Sequence, residues 1–574
     1  MKKVGFKPEK AGAIEVAAST NGQLTPPVMG AAAFLMVEYV GISYIEVIKH
    51  AFLPAIISYI ALVYIVHLEA CKLGLKGMEK PVTRTLPWRL LFFVLGFLFL
   101  VLMGGATYYG IGWIKVVAGD AAIWIVALLI FAAYLLLLAL ACRVDDLAES
   151  HEIKELPRLG PTAQAGLYFL LPIVVLMWCL IVERFSPALS AFWATVLMMF
   201  IAVTQRPLKG LFRKVKDEKY SLRLSFQDLV VGMVSGGSNM IGIGVATAAA
   251  GIVVGTVTLT GIGQVMTQFV EVISGGNLLL ILIFTAMISL LLGMGLPTTA
   301  NYIVVSSLMA PVIVTLGAKA GLIVPLIAVH LFVFYFGILA DDTPPVGLAA
   351  FAASGISGGD PIRTGIQGFV YDMRTAILPF IFIFNNELLL IGVGNWFHLT
   401  VIIVASVIAM LCFAAGTQRY FQTNNRIWES AALLLVAFTL LRPGFWWDRV
   451  YPPLTYEPPT KLEQILDDKS SDSQLVITIR AQDFQGEVYT KTVMLPVGEG
   501  ETGEEKLANM GIETRKENGE VYVDLVTFGS PAEKAGISFD QEIVDIQLPT
   551  DRPPPQLMFI PALMLLAPVF YLQR

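Results

Sequence analysis

Long apolar runs, each close to the roughly 20 residues that span a bilayer as an α-helix, recur along most of the chain. They cover residues 44–66, 89–106, 120–141, 163–182, 187–204, 277–292, 322–340, 376–394, 398–416, 427–441 and 557–573. Only 14% of the residues are charged, whereas soluble proteins carry about 25%. The sequence therefore predicts an all-α polytopic membrane protein. Its net charge of −5 gives no indication of nucleic-acid binding.

The loops between these runs differ in positive charge. Lys and Arg are concentrated in residues 69–89 and 205–223, whereas the loops at 107–119 and 183–186 hold one such residue each. Cytoplasmic loops are the ones enriched in Lys and Arg. The alternation predicts a cytoplasmic N-terminus and places residues 442–555 outside the cytoplasm.

A Thr-Pro-Pro-Val motif occurs twice, as "TPPVMGAAAFLMV" at 25–37 and as "TPPVGLAAFAASG" at 343–355. Two adjacent prolines cannot lie inside an uninterrupted helix, because each lacks a backbone N–H and clashes with the preceding turn. Backbone groups freed inside a membrane must face protein or a water-filled cavity. Each copy therefore predicts a broken helix. The predicted topology makes the two copies antiparallel, so they form inverted repeats.

Paired, inverted and proline-interrupted segments are typical of the binding sites of secondary transporters. Polar residues precede each motif, in "ASTNGQL" at 18–24 and in "GILADD" at 337–342. Carbonyl and carboxylate oxygens of this kind suit a hard cation such as Na⁺. The alternative is a pair of solvated loops at the membrane surface, in which Asp341 and Asp342 face water.

A third interrupted segment, "LLGMGLPTTANYIVVSS" at 291–307, combines helix breakers with polar side chains. It is either part of the same transport site or a packing motif of small residues. Basic residues are scarce in this half of the chain, and Lys319, Arg363 and Arg374 are expected at the membrane edges. A substrate carboxylate is therefore expected at the N-termini of the half-helices that follow the Pro-Pro breaks.

Residues 442–555 differ from the rest in composition. The alternating patterns "QLVITIRA" and "GEVYVDLVTF" predict β-strands. The segment 526–547 resembles the second half of a PDZ-like domain. Ser530 is expected as a helix N-cap, with Pro531 at the first helical position and Glu533 completing a capping box. The sequence thus predicts a small β-rich, PDZ-like module held by a final membrane helix.

Three segments, 11–36, 293–312 and 335–361, resemble the large membrane subunit of tripartite ATP-independent periplasmic (TRAP) transporters. The fused permeases of the TAXI subgroup are the most similar. The resemblance implies Na⁺-driven uptake of organic acids such as C4-dicarboxylates, an elevator-type movement, and a place in the bacterial inner membrane. It implies a periplasmic TAXI-type solute-binding protein and a small membrane subunit as partners besides the lipid bilayer. It implies no enzymatic activity and no cofactor besides Na⁺ as the coupling ion.

The resemblance further implies ion sites at two broken loops, 19–27 and 341–345, with 293–301 packed nearby. The candidate substrate- and ion-binding residues are Ser19, Thr20, Asn21, Gly22, Thr25, Pro26, Pro27, Gly293, Gly295, Pro297, Thr298, Thr299, Asn301, Asp341, Asp342, Thr343, Pro344 and Pro345. The expected Na⁺ ligands among them are Asn21, Gly22, Thr25, Asp342 and Thr343.

The family's first hairpin and its upstream small subunit have no counterpart before Met1, so the chain is expected to be an N-terminally truncated permease. The expected domains are the remainder of the first transport repeat (1–68), connecting scaffold helices (69–223), the second transport repeat (224–396), further membrane helices (397–441), the extra-membrane module (442–555) and the C-terminal helix (556–574).

Two other functions fit parts of the sequence. A non-transporting membrane scaffold would use the PDZ-like module alone, and an intramembrane protease would combine such a module with catalytic residues. A zinc protease needs His-Glu-x-x-His, and "HEIKE" at 151–155 lacks the second histidine. Na⁺-dependent ligand binding would distinguish a transporter from both.

Overall fold

The computed structural model of the chain describes residues 1–574 except 3–4, 27–28, 76–112, 114–116, 145–158, 216, 261–264, 266–268, 271, 276, 294–295, 297, 320–321, 345–346, 471–472, 483–487, 518 and 574. Most of this described chain is α-helical, and one antiparallel sheet lies near its C-terminal end. The expected fold class, a helical membrane protein with a small β-rich region, is confirmed.

The helices fall into two compact units, one made of Met1–Leu75 with Ala246–Arg574 and the other of Lys76–Val245. The helices are α1 (Pro8–Leu24), α2 (Ala31–Val40), α3 (Tyr44–Lys72), α4 (Ala122–Ala141), α5 (Leu159–Gly166), α6 (Leu171–Ile181), α7 (Pro187–Arg213), α8 (Leu222–Thr260), α9 (Leu278–Gly293), α10 (Thr298–Lys319), α11 (Leu326–Leu339), α12 (Leu348–Ser357), α13 (Pro361–Phe384), α14 (Trp396–Thr417), α15 (Ile427–Leu441), α16 (Gly444–Trp447), α17 (Leu462–Asp468), α18 (Gly503–Met510), α19 (Pro531–Lys534) and α20 (Phe559–Leu572).

Eight helices in the described part of the chain are long and apolar enough to cross a bilayer. Helices are found at nearly all the predicted apolar runs, while the run at 89–106 lies outside the described residues. The bounds predicted for the helix at 376–394 are wrong, because the helix found there is α13, Pro361–Phe384. Hydropathy alone misses the part of α13 before residue 376 because that part contains charged residues, although Asp372 and Arg374 are buried inside the protein.

In the first unit, α1 lies at the centre of a group of packed helices. Its buried residues Ala13, Ile14 and Ala17 form a core with side chains of α3 and α13, and α1 also contacts α12. Gly12 permits this approach, since a Cβ at that position would lie 3.0 Å from Thr364 Cγ2 of α13. Small residues allow membrane helices to pack this closely.

In the second unit, α7 packs against α4 and α6. The hydroxyl oxygen of Tyr134 lies 2.8 Å from Thr204 Oγ1. The Tyr168 hydroxyl donates to Gln205 Oε1 at 2.9 Å. These bonds satisfy two phenol groups that are otherwise buried among apolar side chains.

The sheet near the C-terminus has six strands, all paired antiparallel, in the order β3-β2-β6-β5-β4, and β1 also pairs with β6. The strands are β1 (Leu454–Glu457), β2 (Gln474–Gln482), β3 (Val488–Pro496), β4 (Ile512–Glu517), β5 (Glu520–Val526) and β6 (Glu542–Pro549). The two strand-like patterns of the sequence form β2 and β5, which confirms those predictions. The PDZ-like character of the module stays a prediction.

The helix start at Ser530 is confirmed, since Ser530 Oγ accepts a bond from Glu533 N at 3.2 Å. The Glu533 carboxylate accepts from Gly529 N at 2.6 Å. The reciprocal bond of the expected capping box therefore forms one residue earlier than at the N-cap itself.

The two ends of the segment that carries the sheet are bonded to each other. Trp447 Nε1 donates to the carbonyl of Pro553 at 2.8 Å, and Arg552 Nη1 pairs with Asp448 Oδ1 at 2.6 Å. Beyond this point α20 packs against α15. The chain thus leaves the membrane helices and returns to them at neighbouring positions.

Candidate ion-binding site

The first Pro-Pro motif follows the end of α1. The prediction of a broken loop over 19–27 is wrong in its start, because α1 remains helical as far as Leu24. Apolar neighbours from Ala13 to Leu24 bury one side of α1, and this packing keeps the polar run helical despite its Asn and Gly. Thr25 then ends the helix, with its hydroxyl donating to Asn21 O at 2.8 Å.

The second Pro-Pro motif separates α11 from α12. Asp341, Asp342 and Thr343 lie in the turn between the two helices, and the Thr343 hydroxyl donates to Leu339 O at 2.6 Å. Pro344 packs against Gly365 of α13, where a Cβ would lie 3.2 Å from the proline ring. The predicted break in this helix is confirmed.

The third interrupted segment packs against the second break, as expected. Thr298, the first residue of α10, donates its hydroxyl to Asp341 Oδ2 at 3.1 Å. Asn301 is buried and donates Nδ2 to Ser289 O at 3.0 Å. Thr299 lies on α10 with its side chain half-buried.

Four of the candidate residues, Pro27, Gly295, Pro297 and Pro345, lie outside the described residues. Pro26 is described and half-buried after the end of α1.

The end of α1 meets the second break around the Asp342 carboxyl group. Asp342 is 0% exposed, and the Thr20 side chain of α1 lies beside its carboxylate. Neither oxygen of Asp342 receives a hydrogen bond within the described part of the chain. The two motifs, far apart in the sequence, therefore contribute to one buried polar site.

Next to this position, side chains of α1, α3 and α13 form a hydrogen-bond network. Asn21 Nδ2 donates to Ser58 Oγ at 3.2 Å, and Ser58 Oγ lies 3.0 Å from Thr375 Oγ1. The amide of Asn21 is thus engaged by protein partners. Ser58 and Thr375 belong to this network although no sequence motif pointed to them.

A buried ion pair on α13 completes the cluster, and sequence reasoning missed it. Arg374 Nη1 bonds Asp372 Oδ1 at 2.9 Å, and both side chains are almost fully enclosed. The expectation that Arg374 lies at a membrane edge is wrong. The available signal was the pattern "YDMRT" at 371–375, because charged residues of both signs inside a membrane helix usually face the protein interior and pair there.

Some candidates do not face the cluster. Ser19 is exposed, and its hydroxyl donates to Glu15 Oε1 at 3.3 Å. Gly22 is also exposed, on the last turn of α1. Of these neighbouring residues of α1, Ser19 and Gly22 are exposed, whereas Thr20 and Asn21 are buried inside the protein.

A helical membrane fold in which two proline-broken helices meet around buried oxygens is the architecture of a multi-pass transport protein. Residues 1–120 and 120–397 match the family described as the tripartite ATP-independent periplasmic transporter, DctM component. The chain therefore belongs to this family of TRAP transporter permeases.

The family match confirms the resemblance at the level of the large membrane subunit, and it confirms a transporter component rather than an enzyme. Assignment to the TAXI subgroup stays a prediction. Residues 399–574 match DUF3394, a domain of unknown function, which includes the sheet module and α20. No curated protein matches the chain.

Proposed function

We propose that this chain is the permease subunit of a Na⁺-coupled secondary transporter in the bacterial inner membrane, importing small organic acids such as C4-dicarboxylates. A periplasmic solute-binding protein of the TAXI type delivers the substrate, and a small membrane subunit completes the assembly. Membership of a tripartite family supports both the permease role and the need for two partners.

The burial of the Asp342 carboxylate is the main observation that supports coupling to an ion. It is enclosed between α11 and α12, and no donor within the described residues reaches its oxygens. Arg374 of the same cluster is already bonded to Asp372, and a buried carboxylate that receives no hydrogen bond is unfavourable. A coupling cation that binds here supplies the missing charge, and oxygen ligands favour Na⁺ over softer metals.

The carboxylate of the substrate needs a different partner. Arg374 is already engaged, since its guanidinium donates to Asp372 and to backbone carbonyls. The half-helices α2 and α12 begin at Ala31 and Leu348, shortly after the two breaks. Their N-termini present backbone N–H groups and a positive dipole end, which suit an anion.

Uptake into proteoliposomes tests this function. The full chain is reconstituted with its small membrane subunit and its solute-binding protein, and the vesicles receive an inward Na⁺ gradient and radiolabelled carboxylates that include succinate. Uptake should fall to background when choline replaces Na⁺. Asp342→Ala and Thr343→Ala should each raise the Na⁺ concentration for half-maximal uptake by at least about tenfold, with unchanged amounts of protein in the membrane.

Two controls match these variants. Thr400→Ala removes a hydroxyl that also donates to the carbonyl four residues earlier, on the exposed face of α14. Asp551→Ala removes an exposed carboxylate after the sheet module. Both controls should keep the Na⁺ dependence. Uptake by the unmodified protein that ignores Na⁺ contradicts the coupling, and unchanged Na⁺ dependence in both site variants contradicts the site.

A further inference from the structure

A small basic cavity of about 280 Å³ lies at the C-terminal end of α7, in the second unit. Its polar lining consists of Tyr168, Gln205, Arg206, Lys209, Lys219 and Tyr220. Among the residues that the structure describes, no acidic side chain lines this cavity. The proposed transport site uses none of these residues, so the cavity requires a ligand chemistry of its own.

The cavity lies at the level where the surrounding helices leave the apolar part of the bilayer. The apolar run 187–204 of α7 is about 27 Å long at 1.5 Å per residue, close to the roughly 30 Å of a hydrocarbon core. Arg206 and Lys209 follow this run on the same helix. Tyr168, on the opposite wall, lies in the first half of the candidate span Gly160–Leu180. The cavity is therefore level with the lipid headgroups, where tyrosine is enriched.

Arg206 fixes one wall of the cavity. Its Nη2 pairs with Asp228 Oδ2 of α8 at 2.6 Å, and its Nη1 donates to Lys219 O at 3.1 Å. Gly210 allows the segment after α7 to lie against that helix, since a Cβ at this position would be 2.9 Å from Tyr220 Cβ. The wall is thus built from defined contacts between α7, α8 and the segment that joins them.

Two lysine ammonium groups line the cavity, each over an aromatic ring. That of Lys209 lies 5.5 Å from the centre of the Tyr168 ring, and that of Lys219 lies 5.1 Å from the centre of the Tyr220 ring. Such contacts hold a cation on an aromatic face. Lys219 also pairs with Asp217 at 3.8 Å, but these side chains are 58% and 48% exposed, and exposed pairs are weak. A phosphate group can therefore take the place of Asp217 at Lys219.

We propose that this cavity binds the headgroup of an anionic phospholipid, with the lipid phosphate held by the ammonium groups of Lys209 and Lys219 and the acyl chains in the bilayer. Basic pockets between membrane helices suit such headgroups. A lipid is favoured over a soluble phosphate because the cavity lies at headgroup level and because Ala165 and Phe169 add an apolar lining. The inference goes beyond the proposed transport function and does not depend on it.

The surroundings of the cavity favour the same class of lipid. Residues 205–223 include seven basic residues and two acidic ones. Basic segments next to a membrane helix attract anionic lipids over distances comparable to the Debye length. The cavity then adds a defined position to a general attraction, and the two contributions can be measured separately.

Native mass spectrometry of the purified full chain, titrated with dioleoyl-phosphatidylglycerol or dioleoyl-phosphatidylcholine, tests the inference. The unmodified chain should bind phosphatidylglycerol in preference to phosphatidylcholine. Lys209→Gln combined with Lys219→Gln removes both ammonium groups and should weaken phosphatidylglycerol binding by about tenfold or more. Lys209→Arg combined with Lys219→Arg keeps both charges and should keep this binding.

Lys214→Gln combined with Arg223→Gln is the matched control, because it removes two positive charges from exposed residues of the same segment outside the cavity lining. This control should bind phosphatidylglycerol as the unmodified chain does. Equal weakening in the two glutamine pairs would show attraction to net charge alone and would overturn the site. Unchanged binding in the cavity pair would overturn it as well. Displacement of phosphatidylglycerol by an equal concentration of glycerol phosphate would overturn the assignment to a lipid.

Discussion

The guanidinium of Arg374 joins three helices that are distant in the sequence. It donates to Ala17 O of α1 and to Ser58 O of α3, while its partner Asp372 lies on its own helix α13. Removing a charged pair from water is costly, and well-placed hydrogen bonds are needed to offset that cost. Arg374 therefore acts as a structural cation that orients α13 toward the end of α1.

At the residue scale, Gly293 tests how tightly the third segment packs against the second break. A Cβ at Gly293 would overlap Ala340 Cβ and Asn301 Nδ2. We expect Gly293→Ala to destabilise the chain by about 1–3 kcal/mol, since overpacking forces neighbours to shift. The melting temperature of the purified chain in detergent measures this effect.

Gly355→Ala is the matched control for that change. Gly355 lies in α12, and a Cβ there meets nothing within 4 Å. The substitution should leave the melting temperature unchanged or raise it, because alanine favours the helix by up to about 1 kcal/mol over glycine. Equal melting temperatures for Gly293→Ala and the unmodified chain would contradict the packing of this break.

Residue-level prediction succeeded where a residue type has few structural options. Adjacent prolines break a helix in any context, so the break between α11 and α12 could be located from Pro344 and Pro345 in the sequence. Asp372 and Arg374 were missed as a site, because their pairing depends on which helices enclose them. A sequence shows that the two charges are close, but it does not show the backbone carbonyls of α1 and α3 that Arg374 requires.

At the scale of elements, α20 is held to the helical hairpin α14–α15 by Gln573, the residue that follows its last turn. Gln573 Nε2 donates to Glu429 Oε2 at 2.7 Å and to Asn425 Oδ1 at 3.0 Å, and its Oε1 accepts from Gln422 N at 3.1 Å. Glu429 is buried, so it depends on such donors. The C-terminal helix and the hairpin therefore stabilise each other.

Gln573→Leu should loosen this contact. The buried carboxylate of Glu429 would lose a donor at a cost of about 1–3 kcal/mol, and the backbone amides of α20 should exchange hydrogen faster. Tyr571→Leu is the control, because the Tyr571 side chain is 80% exposed on the same helix. Exchange of α20 that is equally slow in Gln573→Leu and in the unmodified chain would show that this network does not hold the helix.

Element prediction failed in two instructive places. The first broken loop was expected to begin at residue 19, yet burial of one side of α1 keeps the helix intact to Leu24. The helix predicted at 376–394 begins at Pro361 instead, because its charged residues are satisfied internally and need no water. In both cases tertiary packing overrode the local signal.

At the scale of the whole molecule, two similar motifs near residues 25 and 343 supply parts of one buried site. The repeated motif and the apolar runs were enough to indicate a helical transporter, and the family match bears out that level of description. The packing of α1 against α11 and α12, the helices on either side of the second break, could not be predicted, because it depends on how the two repeats pack. The inverted relation of the repeats stays a prediction.

The most direct test of the ion site is a pair of cryo-electron microscopy maps of the full chain in lipid nanodiscs, one in NaCl and one in choline chloride. The account predicts a non-protein density beside the Asp342 carboxylate, at the break between α11 and α12, in the NaCl map alone. Identical maps, or protein donors bonded to both oxygens of Asp342 in the two conditions, would contradict it.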